Sequence, residues 1–270
     1  MGNLLFKFGY NSIMVEAPKL FSVLGLPIHL IDDYTLWLKS RLQEGIGTHV
    51  VTLNAEMSIL AETHPTLAKI IHQADLVIPD GAGVVLYLQM HGKKVNRCPG
   101  IELAESLLQE AAQPEAQNLR VFFYGGAPGV AATAAQAWQE KLPNLNIVGV
   151  QNGFIQPAQA EQLQQTLKEL QPQLIFVGLG VPRQELWIAE NRALCPQATW
   201  IGVGGSFDIW AGIKSRAPGW LANNHLEWLY RLYQEPWRWR RMLALPVFAR
   251  KAVVYRLTQN SAMSQPLPKV

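Results

Sequence analysis

The residues of this sequence that could do chemistry are polar side chains placed just after short β-rich runs. Asp80 closes the run Leu76-Val77-Ile78-Pro79 and is followed by Gly81 and Gly83, which give the turn backbone freedom. A carboxylate there is placed for acid/base work, and its structural alternative is the N-cap of the next helix. Thr52-Leu53-Asn54 ends a second run and opens a helix near Ala55, so its side chains and the free N–H groups of the first turn can face a ligand. Asn54 reads equally well as a simple cap. Gly125-Gly126-Ala127-Pro128-Gly129 forms a glycine loop ahead of a helix over residues 130–142, where a nucleotide can approach the backbone. Pro182-Arg183-Gln184-Glu185 begins a further helix, with proline in its first turn. Gln184 and Arg183 could face the same crevice; Arg183 could also be a solvated charge and Glu185 a carboxylate favoured by the helix dipole.

Several chemistries lack their spacing. A dinucleotide fingerprint needs a third glycine, but Gly178-Leu179-Gly180 puts Arg183 there and Gly202-Val203-Gly204 puts Phe207 there. A nucleotide-cofactor oxidoreductase therefore stands only as an alternative. No Gly-Lys-Ser/Thr phosphate loop is present. The histidines show no metal-ligand spacing and Asp32-Asp33 is adjacent rather than D-x-D, so no metal site and no cofactor are assigned. Cys98 and Cys195 lie far apart without a C-x-x-C, against a disulfide framework or structural zinc and in keeping with a reducing compartment. The opening residues lack the apolar core of a signal peptide, and Gly25 and Pro27 interrupt the apolar run over residues 20–31, so neither a signal peptide nor a transmembrane helix is read.

Positioning these residues takes a scaffold of alternating elements. Strand-like runs begin at Phe21, His49, Leu76, Arg120, Ile147, Leu174 and Thr199, with helical patterns between them. The alternation predicts an α/β fold, Rossmann-like, with a largely parallel sheet flanked by helices, whose ligands bind beyond the carboxyl ends of the strands. The chain of 270 residues is 49% hydrophobic, enough for a substantial core. The proposed organisation is a flexible segment over residues 1–20, the α/β domain over 21–212, a helical appendage over 213–258 and a disordered tail over 259–270. The loop over residues 109–118 reads as dividing the sheet into halves. From Trp210 the alternation gives way to an aromatic, basic region with Trp210, Trp220, Trp228, Trp237 and Trp239. Between Trp228 and Arg256, Arg231, Arg238, Arg240, Arg241, Arg250, Lys251 and Arg256 face one acid, Glu235. A net charge of only +3 does not point to nucleic acid. The local positive field, interleaved with aromatics, suits an anionic membrane surface, and a solvated helical face is the plain alternative.

In order along the chain, Thr52-Leu-Asn54-Ala-Glu56, Ala74-Asp75-Leu-Val-Ile-Pro79-Asp80-Gly81-Ala-Gly83, Arg97-Cys-Pro-Gly100, Phe123-Tyr-Gly-Gly126-Ala-Pro-Gly129, Gly178-Leu-Gly-Val-Pro-Arg-Gln184-Glu185, Val203-Gly-Gly205-Ser-Phe207-Asp208, Arg216-Ala-Pro218 and the stretch from Leu226 to Arg238 resemble the WecG/TagA/CpsF family of bacterial glycosyltransferases. The resemblance covers residues 21–256. It implies transfer of N-acetylmannosamine or a related sugar from a UDP donor to undecaprenyl-diphosphate-linked N-acetylglucosamine, with inversion and no required metal. By position it implies Asp80 as catalytic base, with Thr52, Asn54, Arg97 and Gln184 lining the substrate pocket. Arg231, Arg238 and Arg241 would belong to an appendage that folds over the active site at the membrane. The glycine loop at Gly125 and Gly126 is taken as part of the substrate site. The sequence departs from the family pattern at Cys98-Pro99 and at Arg183. The enzyme is expected in the cytoplasm, peripherally associated with the inner face of the plasma membrane, and self-association into a homo-oligomer is left open. A non-catalytic membrane-binding module is the other alternative, and it would leave the polar strand ends without a purpose.

Overall fold

The structure is a computed structural model and describes residues 16–116, 118–224 and 226–263. The elements, in chain order, are β1 (Lys19–Val23), β2 (Leu26–Leu30), α1 (Tyr34–Gln43), β3 (Thr48–Leu53), α2 (Ala55–Thr63), α3 (Pro65–Gln73), β4 (Leu76–Pro79), α4 (Ala82–Met90), α5 (Gly100–Ala111), β5 (Val121–Gly125), α6 (Val130–Lys141), β6 (Ile147–Gln151), α7 (Pro157–Leu170), β7 (Leu174–Gly178), α8 (Arg183–Asn191), β8 (Thr199–Gly202), α9 (Ser206–Trp210), α10 (Gly219–Asn223), α11 (Glu227–Gln234), α12 (Trp239–Met242) and α13 (Ala244–Met263).

Six strands form one parallel sheet in the order β4-β3-β8-β7-β5-β6. Side chains alternate between its faces, as the two-residue repeat of a strand requires. Val50, Ile78, Phe123, Phe176 and Ile201 point to the face covered by α1, α5, α6 and α9. Val51, Leu53, Val77, Phe122, Tyr124, Ile175 and Trp200 point to the other, under α2, α3, α4, α7 and α8. Both faces are buried, so β7 reads as a continuous apolar run, while β3 buries Thr48, His49 and Thr52 among its valines and leucine. Each large side chain so buried contributes about 1.5–3 kcal/mol, and Phe123 adds ring contacts with Phe207 and Trp210 at 5.0 and 5.8 Å between centroids. The edge strand β6 is only partly covered.

The Phe21 run differs from expectation. It belongs to β1, which pairs antiparallel with β2 in a separate two-stranded ribbon, Lys19 opposite Leu30 and Val23 opposite Leu26. Leu24 and Gly25 form the two-residue turn, both at positive φ (49° and 86°) as such a hairpin demands. Pro27 hid β2 from a reading by alternation. The ribbon lies against β4, where His29 Nδ1 accepts the Val77 N–H at 2.9 Å and so blunts the open sheet edge.

The C-terminal region is helical. Helix α13 packs on α2 and α4, with Phe248 and Ala252 in the core, whereas α11 and α12 bury no residue fully. Trp210 is corrected: it is a core residue of α9, its indole N–H donating to Glu105 at 2.9 Å, and not part of the appendage. Lys19 and Leu20, read as flexible, form the start of β1, and α13 runs through residues 259–263, read as tail. The remaining calls on 1–15 and 264–270 lie outside the described residues.

Candidate active site

The carboxyl ends of β3, β4, β7 and β8 open onto a cleft of about 340 Å³. The chain leaves β3 toward β4 at one edge, while β8, beside β3, is reached from β7 on the other side. A crevice at such a reversal is where open α/β sheets hold ligands. Helix α11 (Glu227, Arg231), the short 3-10 turn Pro236–Arg238 and α12 (Arg241) supply the opposite wall.

Asp80 stands at the cleft floor. Its N–H bonds the Leu53 carbonyl at 2.9 Å, which fixes the end of β4 on β3. The N-cap of α4 is Gly81, so the capping alternative for Asp80 does not hold there; its carboxyl instead lines the cleft and accepts the Gly100 N–H at the start of α5. Burial pushes the Asp80 carboxyl up to about 6; the Arg231 guanidinium opposes that rise, Glu227 adds to it, and Arg97 and the Gly100 N–H oppose it further. A carboxylate tuned to that range is ionised at neutral pH yet basic enough to take a hydroxyl proton.

Asn54 does both things expected of it: Oδ1 accepts the Met57 N–H at 3.0 Å as the α2 N-cap, and the residue lines the cleft. Thr52 lines it too, its hydroxyl donating to the Gly202 carbonyl at 3.4 Å. Gly126 lines the cleft, while Gly125 lies behind it at φ 138°, so close to β7 that a Cβ would meet the Gly178 carbonyl oxygen at 2.4 Å. Gln184 borders the cleft from below and is almost fully buried. Arg183 is exposed, donating to the Leu179 carbonyl at 2.8 Å, which is the solvated-charge alternative. Glu185 is fully buried against His49 instead of serving the helix dipole at the surface.

Arg97, expected to line the substrate pocket, lines a second cavity instead and touches this cleft's wall through its Nη1, which donates to Glu227 Oε2 at 2.9 Å. Arg231 takes the other oxygen of Glu227 at 2.6 Å. Burial alone would raise the Glu227 carboxyl, but Arg231 and Arg97 outweigh it and hold it below its usual range. Arg238 bonds Glu235 at 2.7 Å and Arg241 bonds Glu56 at 2.5 Å, so each arginine of the wall has a carboxylate partner. Lys214 meets both Asp208 and Glu235, and Arg216 meets Glu102.

Glu227, Glu235, Glu56 and Lys214 are site residues that the sequence reading did not assign. Glu227 lies one residue ahead of the window in which the basic charges were weighed, and its spacing of four from Arg231 was the available signal. Glu56 lies within a quoted motif but pairs with a residue 185 positions away, which local spacing cannot show. Among the described residues, no group of three His, Cys, Asp or Glu side chains could hold a metal ion.

Fold and cleft together define an α/β protein with a carboxylate base candidate facing an arginine wall. Residues 21–262 match the glycosyl transferase WecG/TagA/CpsF family, and the chain belongs to that family and is a glycosyltransferase. It is 38% identical over 208 residues to an N-acetylglucosaminyldiphosphoundecaprenol N-acetyl-beta-D-mannosaminyltransferase of Bacillus spizizenii, covering 77% of this chain and 79% of the relative. A Bacillus subtilis protein of the same name is 32% identical over 232 residues, covering 86% and 88%.

Proposed function

We propose that this glycosyltransferase moves N-acetylmannosamine, or a related N-acetylaminosugar, from a UDP donor to undecaprenyl-diphosphate-linked N-acetylglucosamine, with inversion, in the synthesis of a cell-surface polysaccharide or teichoic acid. The acceptor follows the names of the relatives. One observation carries the mechanism: the Asp80 carboxyl, raised to about 6, shares a cleft with Arg231, Arg238 and Arg241.

Asp80 takes the proton of the acceptor hydroxyl as that oxygen attacks the anomeric carbon. The bond to UDP breaks on the far side, and the charge growing on the diphosphate is met by the guanidinium groups of the wall, so this reading requires no metal. Thr52 and Asn54 line the same cleft and position the sugar. The dinucleotide alternative fits less well, because the N–H groups of Gly180 and Gly204 are already taken by Gln184.

The appendage meets the membrane from the cytoplasmic side. Trp220, Tyr233, Trp237 and Trp239 are exposed there, and Arg240 stacks on Trp239. Amphipathic aromatics with cations suit an anionic lipid interface. No helix among the described residues is long and apolar enough to cross a membrane. Closure of this wall over lipid-linked acceptor would keep the donor from reacting with water.

The test is UDP release from UDP-N-acetylmannosamine, with and without lipid-diphosphate N-acetylglucosamine, in chelator, for wild type and Asp80→Asn. Release that needs the acceptor and is lost in the variant is expected. Failure across a panel of UDP-sugars would end the proposal.

A further inference from the structure

Gln184 has the position of a ligand-binding side chain but not its freedom. Its Oε1 accepts the Gly180 N–H at 3.2 Å and the Gly204 N–H at 3.1 Å, and its Nε2 donates to Glu185 Oε1 at 3.1 Å. Glu185, with no exposed surface, places Oε2 3.0 Å from His49 Nε2, itself 2% exposed. The polarity of the chain is fixed: a carboxylate only accepts, so the donor end of the Gln184 amide must face Glu185 and its acceptor end the loops. Gly202 makes room for the pair, since a Cβ there would lie 2.3 Å from Gln184 Nε2. The His49 backbone N–H, apart from the ring, donates to Asp75 Oδ2 at 2.8 Å, and Arg192 holds that same oxygen at 2.7 Å.

We infer that His49, Glu185 and Gln184 form a buried positioning relay that sets the β7–α8 and β8–α9 loops at the spacing a sugar nucleotide needs, and that Gln184 does not itself bind the donor. Both loops line the cleft, through Gly178, Gly180, Gly204 and Gly205. The inference rests on the reading of this cleft as the donor site. Asp80, which follows the last residue of β4, is outside the relay, so the relay governs donor binding more than the proton transfer.

A swap of the two side chains tests it, with amide hydrogen exchange at Gly180 and Gly204 and the donor KM and kcat as readouts. Gln184→Glu alone puts two carboxylates at hydrogen-bond distance in a buried site. Exchange at both glycines should quicken and donor KM rise about tenfold, with kcat within about threefold of wild type. Adding Glu185→Gln restores the polarity. The amide introduced at 185 donates to the new carboxylate and accepts from His49, and that carboxylate accepts both loop N–H groups. Protection and KM should return to within about threefold of wild type. A double variant no better than the single one overturns the inference. Restored protection without restored KM also overturns it, by showing that the Gln184 amide touches the donor. Exchange reports on the relay even if the wild-type protein binds no UDP-sugar, so failure of the donor reading shows separately.

Discussion

Asp80→Asn should stabilise the fold while abolishing transfer, and the gain should depend on pH. The native carboxyl has its pKa raised from 3.8 to about 6, chiefly by burial. A raised acid binds its proton more tightly in the native state, so its stability contribution is intact below pH 3.8 and is lost as pH climbs through 6. Asparagine resembles the neutral acid at every pH and escapes that loss. One pKa step is worth about 1.4 kcal/mol, so the variant gains ~3 kcal/mol at pH 8 and ~1.6 kcal/mol at pH 5. Denaturant unfolding of both proteins at the two pH values reads the difference. Wild-type transfer should fall below about pH 6 as the base protonates. A variant less stable than wild type at pH 8, or a gain that does not grow between pH 5 and pH 8, would refute the burial argument for Asp80.

Arg231→Ala removes the cation that most opposes the rise at Asp80, so the acid limb of the rate profile should move to higher pH, as rates across pH 5–8 will show. His29→Leu orphans the Val77 N–H at the sheet edge and should cost about 1–3 kcal/mol by denaturant unfolding. Because burial lowers the His29 pKa below 6.5, its neutral form stabilises the wild type above that pH; the cost of the variant should shrink as pH falls. Replacing Trp237 and Trp239 together by alanine should weaken sedimentation with phosphatidylglycerol vesicles about tenfold while leaving the unfolding midpoint unchanged, since both side chains are exposed.

The inner sheet was legible because its physics is local. Runs such as Leu76 to Pro79 and Leu174 to Val177 are apolar on both faces, and the polar residue that follows a run marks the strand end, which is how Asp80 and Asn54 could be singled out. The β1–β2 ribbon was not legible as such, because Pro27 breaks its alternation and its partners are set by a two-residue turn. Trp210 was misplaced because composition cannot tell a tryptophan packed on Phe123 from one facing solvent. The long-range charge pairs were missed for a different reason: His49 and Glu185 are 136 residues apart, and Arg97 and Glu227 are 130 apart. Such pairs exist only after the sheet brings distant strand ends and the appendage together.

The two ways in which the appendage is attached have different strengths, and that difference fits its proposed work. Helix α13 is anchored by apolar burial of Phe248 and Ala252, of which the phenylalanine alone contributes about 1.5–3 kcal/mol. The wall over the cleft is tied to the α/β domain largely by ion pairs, among them Arg97 with Glu227, Arg241 with Glu56 and Lys214 with Asp208. Pairs as open to solvent as Arg241 with Glu56 contribute about 0–1 kcal/mol each and weaken with salt. The diphosphate of the proposed donor would offer the same guanidinium groups more negative charge than the carboxylates that hold them. The wall can therefore exchange protein partners for substrate without unfolding, while α13 keeps it tethered above Asp80. The glutamates keep the arginines from being left as unpaired half-buried cations when the cleft is empty, and on the proposed reading their displacement would match closure of the wall to the presence of donor.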